Sequence, residues 1–204
     1  MSLLEKNLKN FSWPDKKKKS LFSERKDWWN AARLEIGSKA EGLSIYSRGY
    51  KDAADRLVEY AQTDKTSINL LVFPILFLYR HYLELALKEI IIAATRYLAM
   101  EQNDIKGHDL IRLWERVKGL ISEANLDIPN TEMSAVANQI SQFHKLDESS
   151  ETFRYPVDNK GNIFKNLSEY INIENVKEIV DGLHAWCFGL VCVLGEYEDA
   201  KNQF

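Results

Sequence analysis

The chain has 204 residues, of which 45% are hydrophobic and 28% are charged, and its formal net charge is -3. This length suits one domain that buries roughly 70% of the surface its unfolded form exposes, so stability requires neither a metal nor a disulfide. The negative net charge excludes a wholly basic nucleic-acid coat protein, but it leaves room for local basic patches.

The start of the sequence and its two cysteines predict a soluble, cytoplasmic protein. The opening stretch MSLLEKNLKN lacks the apolar core of a signal peptide. Cys187 and Cys192 are about 140° apart on one predicted helix, so we expect free, buried thiols, which suit a reducing compartment. The charged residues within 73–100 argue against a membrane span there.

The first 40 residues are predicted to form an arm outside the main domain, residues 41–204. This arm is rich in lysine and arginine, with Trp13, Trp28 and Trp29 interleaved. Basic and aromatic residues together are compatible with nucleic-acid binding. We favour the plainer alternative, in which the tryptophans pack on the main domain and the lysines are solvated.

Helical spacing of apolar residues predicts a first helix over 43–63, which polar residues then end. The second helix has Pro74 close to its start, a position that tolerates the missing N–H, and runs to about Met100. At about 27 residues it is long enough to be the central helix of the fold.

The second half of the chain predicts three further helices and one insertion. Asp109 starts a helix that ends near Asn125, Thr131 caps a fourth helix, and Asn172 caps the last one. Between them, residues 152–164 carry aromatic and β-branched side chains around a polar turn, as in a small β-hairpin or an extended insertion. The predicted fold is an all-α, mostly antiparallel five-helix bundle around the long central helix.

One polar stripe interrupts the apolar central helix and is the first candidate site. Arg80, His81, Glu84 and Lys88 fall within about 100° of one another around the helix. The i,i+4 spacing fits an ion-pair ladder that borders solvent, and it fits a functional polar pocket equally well. The i,i+3 spacing of His81 and Glu84 suits two metal ligands, but no second pair completes a site, so we predict no metal.

The second candidate is Arg154 with Tyr155, which a neighbouring proline fixes in the predicted insertion. Such a loop can reach over a pocket, or it can simply cover the end of the bundle. The remaining histidines favour structural roles: His108 flanks the cap Asp109, and His144 and His184 lie on or beside apolar helix faces.

Several signatures are absent from the sequence. It contains no GxGxxG, P-loop, GxSxG, HExxH or CxxC motif, so nucleotide hydrolysis, α/β-hydrolase chemistry, zinc proteolysis and dithiol redox chemistry lack support, and no cofactor is predicted.

Four strings, SRGYKDAADRLVEYA, FPILFLYRHYLELALKEI, GHDLIRLWERV and ETFRYPVD, resemble uncharacterised bacterial HEPN-like proteins over residues 46–197. The resemblance implies an all-α homodimer from antiphage defence or toxin systems and, in active members, metal-independent RNA cleavage by an Arg followed after four to six residues by a His. This chain lacks that spacing, since Arg80 directly precedes His81.

Two functions follow as alternatives. In the first, the protein is a metal-independent endoribonuclease or RNA-binding protein, with His81 as the base and Arg80, Lys88 and Arg154 as the cations that steady the phosphate. In the second, the same groove dimerises or senses a partner protein without catalysis. A purely structural stripe is the third possibility.

Overall fold

The computed structural model divides into two units, Met1–Glu35 and Ile36–Phe204. It describes residues 29, 32, 34–101, 105–157, 160–163 and 170–202. The predicted N-terminal arm therefore lies almost entirely outside the described residues.

The described residues form five α-helices and contain no β-strand, which confirms the prediction of an all-α chain. The helices are α1 (Lys39–Thr63), α2 (Ile68–Tyr97), α3 (Leu110–Glu123), α4 (Asn130–Leu146) and α5 (Ile173–Asn202).

Helix α1 begins four residues before the predicted start because Ser38 provides an N-cap. The Ser38 hydroxyl accepts the backbone N–H of Glu41 at 3.1 Å, and the Glu41 carboxylate accepts the backbone N–H of Gly37 at 3.1 Å. These two bonds satisfy donors that a helix start leaves open. A 3₁₀ turn, Lys65–Ser67, then separates α1 from α2.

Helix α2 starts at Ile68, so the expectation that Pro74 lies close to the helix start is wrong. Pro74 lies inside the helix, in its second turn, on an exposed stretch where water can replace the hydrogen bond that proline cannot donate. The helix ends where Ala99 takes a φ of +52°, and the N–H of Met100 bonds to the carbonyl of Thr95 at 2.9 Å. This is the αL ending that glycine usually supplies.

Two of the three helix caps predicted in the second half of the chain are confirmed. Asp109 accepts the N–H groups of the first turn of α3, and Asn172 does the same for α5, as predicted. Thr131 is not a cap, because α4 begins one residue earlier, after Pro129, without a side-chain cap. Pro129 occupies the N-cap position with φ -54° and ψ 134°, which is the extended backbone that precedes a helix start.

Helix α2 contacts α1, α3 and α5, and α4 packs on α3. The buried side chains of α2 form one hydrophobic cluster with those of the other helices. This contact pattern explains why α2 is apolar on most of its surface, since a helix covered on several sides must bury most of its positions.

The insertion is only partly described. Val157 and Ile163 form a single antiparallel bridge, and a turn occupies 152–154. Residues 158–159 and 164–169 lie outside the described part, so the hairpin stays a prediction.

Two helical segments are long and apolar enough to cross a membrane by length and composition, Lys65–Tyr97 and Ile173–Lys201. The apolar window of the first is 56% buried within the protein, as expected of a core helix, and that of the second is 28% buried. The prediction of two buried thiols is half wrong, because Cys187 is buried but Cys192 is exposed.

Candidate functional site

The polar stripe of α2 is buried and does not border solvent as a ladder would. Arg80 and Glu84 are each 1% exposed. Arg80 Nη1 lies 3.5 Å from Glu84 Oε2, and Lys88 Nζ lies 2.8 Å from Glu84 Oε1. The i,i+4 spacing therefore does form a ladder, but inside the protein, where each charge needs a partner.

Arg80 is held from three directions. Its Nε donates to the backbone carbonyl of Asp147 at 3.1 Å and lies 3.3 Å from Asp147 Oδ2. Its Nη2 donates to the backbone carbonyl of His108 at 2.8 Å. Burial lowers the pKa of Arg80, yet guanidinium stays charged at any physiological pH. Arg80 therefore ties α2 to the residues before α3 and after α4.

Asp147 completes this arrangement and was not predicted from the sequence. It is 1% exposed, and its Oδ1 accepts the backbone N–H groups of Glu151 and Thr152 at 2.8 and 2.9 Å. The same carboxylate therefore orders the turn after α4 and neutralises Arg80. The sequence contains one indication of this role, since Asp147 begins the polar segment that follows α4, and aspartate often forms turns at such positions.

His108 is the exposed end of the network. Its Nδ1 lies 2.9 Å from Glu84 Oε1, while 67% of its side chain is exposed. Burial alone would raise the pKa of Glu84, but hydrogen bonds from Lys88 and His108 outweigh it and lower that pKa. An ionised carboxylate thus fixes one ring nitrogen and leaves the other for solvent, which is the arrangement of an oriented general acid or base. We call Arg80, Glu84, Lys88, His108 and Asp147 the His108 cluster.

His81 lies at the edge of this cluster. Its ring stacks on Phe77, with centroids 5.8 Å apart, and meets the edge of Tyr50 at 4.5 Å. Burial lowers the pKa of His81, and the positive charges of Lys88 and Arg80 lower it further, against the pull of Glu84. His81 is therefore neutral at pH 7 and can accept a proton.

Arg154 and Tyr155 form no hydrogen bond or ion pair with the stripe in the described part of the chain. Arg154 Nε donates to the carbonyl of Ser150 at 2.6 Å, and its guanidinium carbon lies 5.5 Å from the ring centroid of Tyr155. Burial is the main cause of the lowered pKa of Arg80, and the charge of Arg154 also contributes to that lowering. Arg154 is therefore near the cluster, held by its own turn.

A cleft of about 510 Å³ continues along the same face of α2 towards its end, between α2 and α3. Its described lining includes Ile91 and Thr95 of α2 and Arg112, Leu113 and Arg116 of α3. Arg112 and Arg116 are exposed. Lys106 adds a third basic residue to the lining, and Glu101 and Asp109 add two acidic ones. The cleft therefore has an apolar wall and a mixed rim in which basic residues outnumber acidic ones by three to two, which can take an elongated anion beside the arginines.

A second polar cluster, which sequence reasoning missed, lies on another face of α2. Lys51 Nζ bonds to Asp55 and Asp181 at 2.7 and 2.5 Å. Lys177 Nζ lies 2.7 Å from Asp181, and the Tyr79 hydroxyl donates to Asp55 at 2.8 Å. This Lys51 cluster joins α1, α2 and α5, and its two lysines and two aspartates balance each other.

The two remaining histidines, which the sequence places on or beside apolar helix faces, each have a polar side-chain neighbour. His184 Nδ1 lies 2.9 Å from the hydroxyl of Tyr82, and His144 Nδ1 lies 3.6 Å from Asp109 Oδ1. Among the described residues, no three His, Cys, Asp or Glu side chains are grouped so that they could hold a metal ion.

No protein-family model matches this chain, and no curated protein or solved structure is significantly similar to it.

Proposed function

We propose that this chain is a HEPN-like helical bundle of a bacterial defence or toxin-associated system that cleaves RNA without a metal ion. The proposal includes a mostly antiparallel bundle around α2, the small hairpin near 152–164, a cytoplasmic location and a homodimer. One observation carries the catalytic part: a buried, ionised Glu84 holds Nδ1 of a largely exposed His108 at 2.9 Å.

Metal-independent RNA cleavage needs a base, an acid and a cation. The base removes the proton of a ribose 2′-hydroxyl, the 2′-oxygen attacks the adjacent phosphorus, and the bond to the 5′-oxygen of the next nucleotide breaks as the acid protonates that oxygen. The products are a 2′,3′-cyclic phosphate and a 5′-hydroxyl. A nearby cation stabilises the additional charge on the pentacovalent phosphate.

The groups of the His108 cluster suit these tasks. Neutral His81 is the base, and His108, oriented by Glu84, protonates the leaving oxygen. Lys88 is the cation, because its side chain is 12% exposed and an ammonium group has donors to spare beyond its bond to Glu84. Arg80 is buried and fully bonded, so its role is to position Glu84 and the His108 backbone. Arg154 adds positive charge from the neighbouring turn.

The test is incubation of purified protein with total RNA in EDTA. Wild type should produce fragments that end in 2′,3′-cyclic phosphates, and His108→Ala and His81→Ala should each abolish them. His144→Ala is the matched control, since His144 is partly buried but belongs to no cluster, and it should cleave like wild type. Identical inert profiles for all four proteins would overturn the catalytic proposal.

A second candidate function is recognition of RNA or a partner protein without chemistry. It is favoured by the complete pairing of Arg80 and Glu84, which leaves only His108 and the tip of Lys88 at the surface of the cluster. The rim arginines of the neighbouring cleft then do the binding. Arg112→Ala with Arg116→Ala should weaken binding of a single-stranded RNA oligonucleotide in EDTA and flatten its salt dependence, because each lost phosphate contact removes part of the slope. Unchanged affinity and slope would count against RNA as the ligand.

A further inference from the structure

The outer face of α5 is apolar and uncovered in the described part of the chain. From Gly182 to Gly195 the sequence carries no Asp, Glu, Lys or Arg. Ala185, Phe188 and Cys192 recur at three- and four-residue spacing and are all exposed; the exposed fraction of Phe188 is 58%. On an ordinary soluble helix this outward face would be polar.

Two glycines lie beside this apolar face. A Cβ atom built on Gly182 or Gly189 would meet nothing within 4 Å, so no other described part of the chain fills the space next to either position. Glycine allows another backbone to approach closely. A two-fold symmetric contact would use this same patch on both copies.

The charged rim fits a second copy as well. Arg48 of α1 lies beside Phe188, since both line one small cavity. Arg48 and Glu196 are exposed, and neither forms a hydrogen bond or ion pair with another described residue. When two α5 helices cross antiparallel near Cys192, Glu196 of each copy lies opposite position 188 of the other, next to that copy's Arg48. The symmetry forms this pair twice.

An anionic membrane surface fits this apolar face less well than a second copy does. The charged residues of α5 that flank the apolar stretch are six acidic and two basic, namely Glu174, Glu178, Asp181, Glu196, Glu198 and Asp199 against Lys177 and Lys201. Contact with anionic membranes instead uses an excess of lysine and arginine. Ile45, which is 52% exposed on α1, lines a second groove with Arg48 and His184. The other residues that line this groove are Gly49, Lys51, Asp52 and Asp55, so α1 contributes one apolar side chain and several charged ones beside the apolar face of α5. A stable interface needs about 800 Å² per partner, which is more than one helix face supplies.

We propose that α5 pairs with α5 of a second copy of this chain, antiparallel about a two-fold axis near Cys192, with Arg48 of each copy paired to Glu196 of the other. This inference rests on the homodimer in the proposed function and assigns its interface. The surface is separate from the His108 cluster, because none of the five residues of that cluster belongs to α5.

Light scattering of the full chain after gel filtration tests the pairing. Wild type should have twice the monomer mass. Phe188→Glu should be monomeric with an unchanged helical circular dichroism spectrum, because the ring is exposed, and its melting temperature should not depend on protein concentration, whereas that of wild type should. Arg48→Glu should weaken the dimer, and Arg48→Glu combined with Glu196→Arg should restore it. A dimer that survives Phe188→Glu would overturn this interface while leaving a homodimer in place, and a monomeric wild type would overturn both. Cleavage of RNA is scored separately, so neither result is confused with the catalytic proposal.

Oxidative cross-linking gives a second reading. Wild type and Cys187→Ser should form a disulfide-linked dimer through Cys192, and Cys192→Ser should not. Cys187 is the internal control, because burial raises the pKa of its thiol to about 12 and keeps it unreactive. Equal cross-linking in Cys192→Ser, or none in wild type, would contradict an axis near Cys192.

Discussion

The two polar clusters of α2 use the same chemistry to different ends. Tyr79 of the Lys51 cluster and Glu84 of the His108 cluster are five residues apart, about 140° around the helix. The Lys51 cluster closes on itself, with two lysines between two aspartates and three helices joined. The His108 cluster ends in an imidazole that is 67% exposed. Both clusters bury charge between helices, so buried charge alone does not distinguish them; they differ in whether a side chain of the cluster reaches the surface.

Removing Arg80 should have the largest effect on stability. Arg80→Ala leaves Glu84 and Asp147 as buried carboxylates without their cation, and breaking a buried ion pair in this way costs about 3–5 kcal/mol. The free energy of unfolding in urea measures the loss. Arg56→Ala is the matched control, since Arg56 forms an i,i+4 pair with Asp52 at the surface, and it should show no measurable change. Equal effects of the two variants would contradict the structural role of Arg80.

Lys51→Met should have a smaller effect and should leave the proposed activity intact. The variant removes the bonds to Asp55 and Asp181, but Lys177 still neutralises part of the cluster, so we expect a loss of about 1–3 kcal/mol. Urea unfolding and RNA cleavage are measured on the same preparation. Lost cleavage with unchanged stability would mean that the Lys51 cluster is the functional one.

The two clusters should also lose their stabilising effect at opposite ends of the pH range, and this is the smallest of the expected effects on the free energy of unfolding. Burial lowers the pKa of Lys51, but its bonds to Asp181 and Asp55 outweigh burial and raise it. Its stabilisation is therefore complete below the ordinary value of 10.5 and is lost as pH rises through the raised pKa. The pKa of Glu84 is lowered, so its stabilisation is complete above the ordinary value of 4.5 and is lost as pH falls.

Differences in the free energy of unfolding across pH check these signs. The advantage of wild type over Lys51→Met should shrink only in alkali, from pH 10 upwards. The advantage of wild type over Glu84→Gln should shrink only in acid, below pH 5. A Glu84→Gln difference that is constant down to pH 3 would contradict an ionised, stabilised Glu84.

Local features of the sequence predicted local features of the fold. The caps Asp109 and Asn172 and the helical spacing of apolar residues depend on neighbours within one or two turns, and those predictions are confirmed. The predictions based on Pro74 and Thr131 were wrong because they relied on where proline and threonine usually occur in helices. Helix α2 begins six residues before Pro74, and α4 begins directly after Pro129.

The candidate site was only half readable from the sequence. Arg80, Glu84 and Lys88 share one helix, so their ladder follows from spacing alone. His108 and Asp147 join this ladder from 24 and 67 positions away in the sequence. No local sequence pattern predicts such a long-range contact. His108 looked like the neighbour of a cap because that local role was visible and its bond to Glu84 was not.

The initial rate of cleavage of a fluorogenic single-stranded RNA oligonucleotide in EDTA tests the central claim most directly. A general acid or base contributes about 10²–10⁴-fold to a rate, so His108→Ala should cleave at least about 100-fold more slowly than wild type, under conditions where urea unfolding shows that both proteins are fully folded. His144→Ala should cleave at the wild-type rate. If His108→Ala cleaves within a few-fold of wild type, the exposed end of the His108 cluster is not a catalytic site.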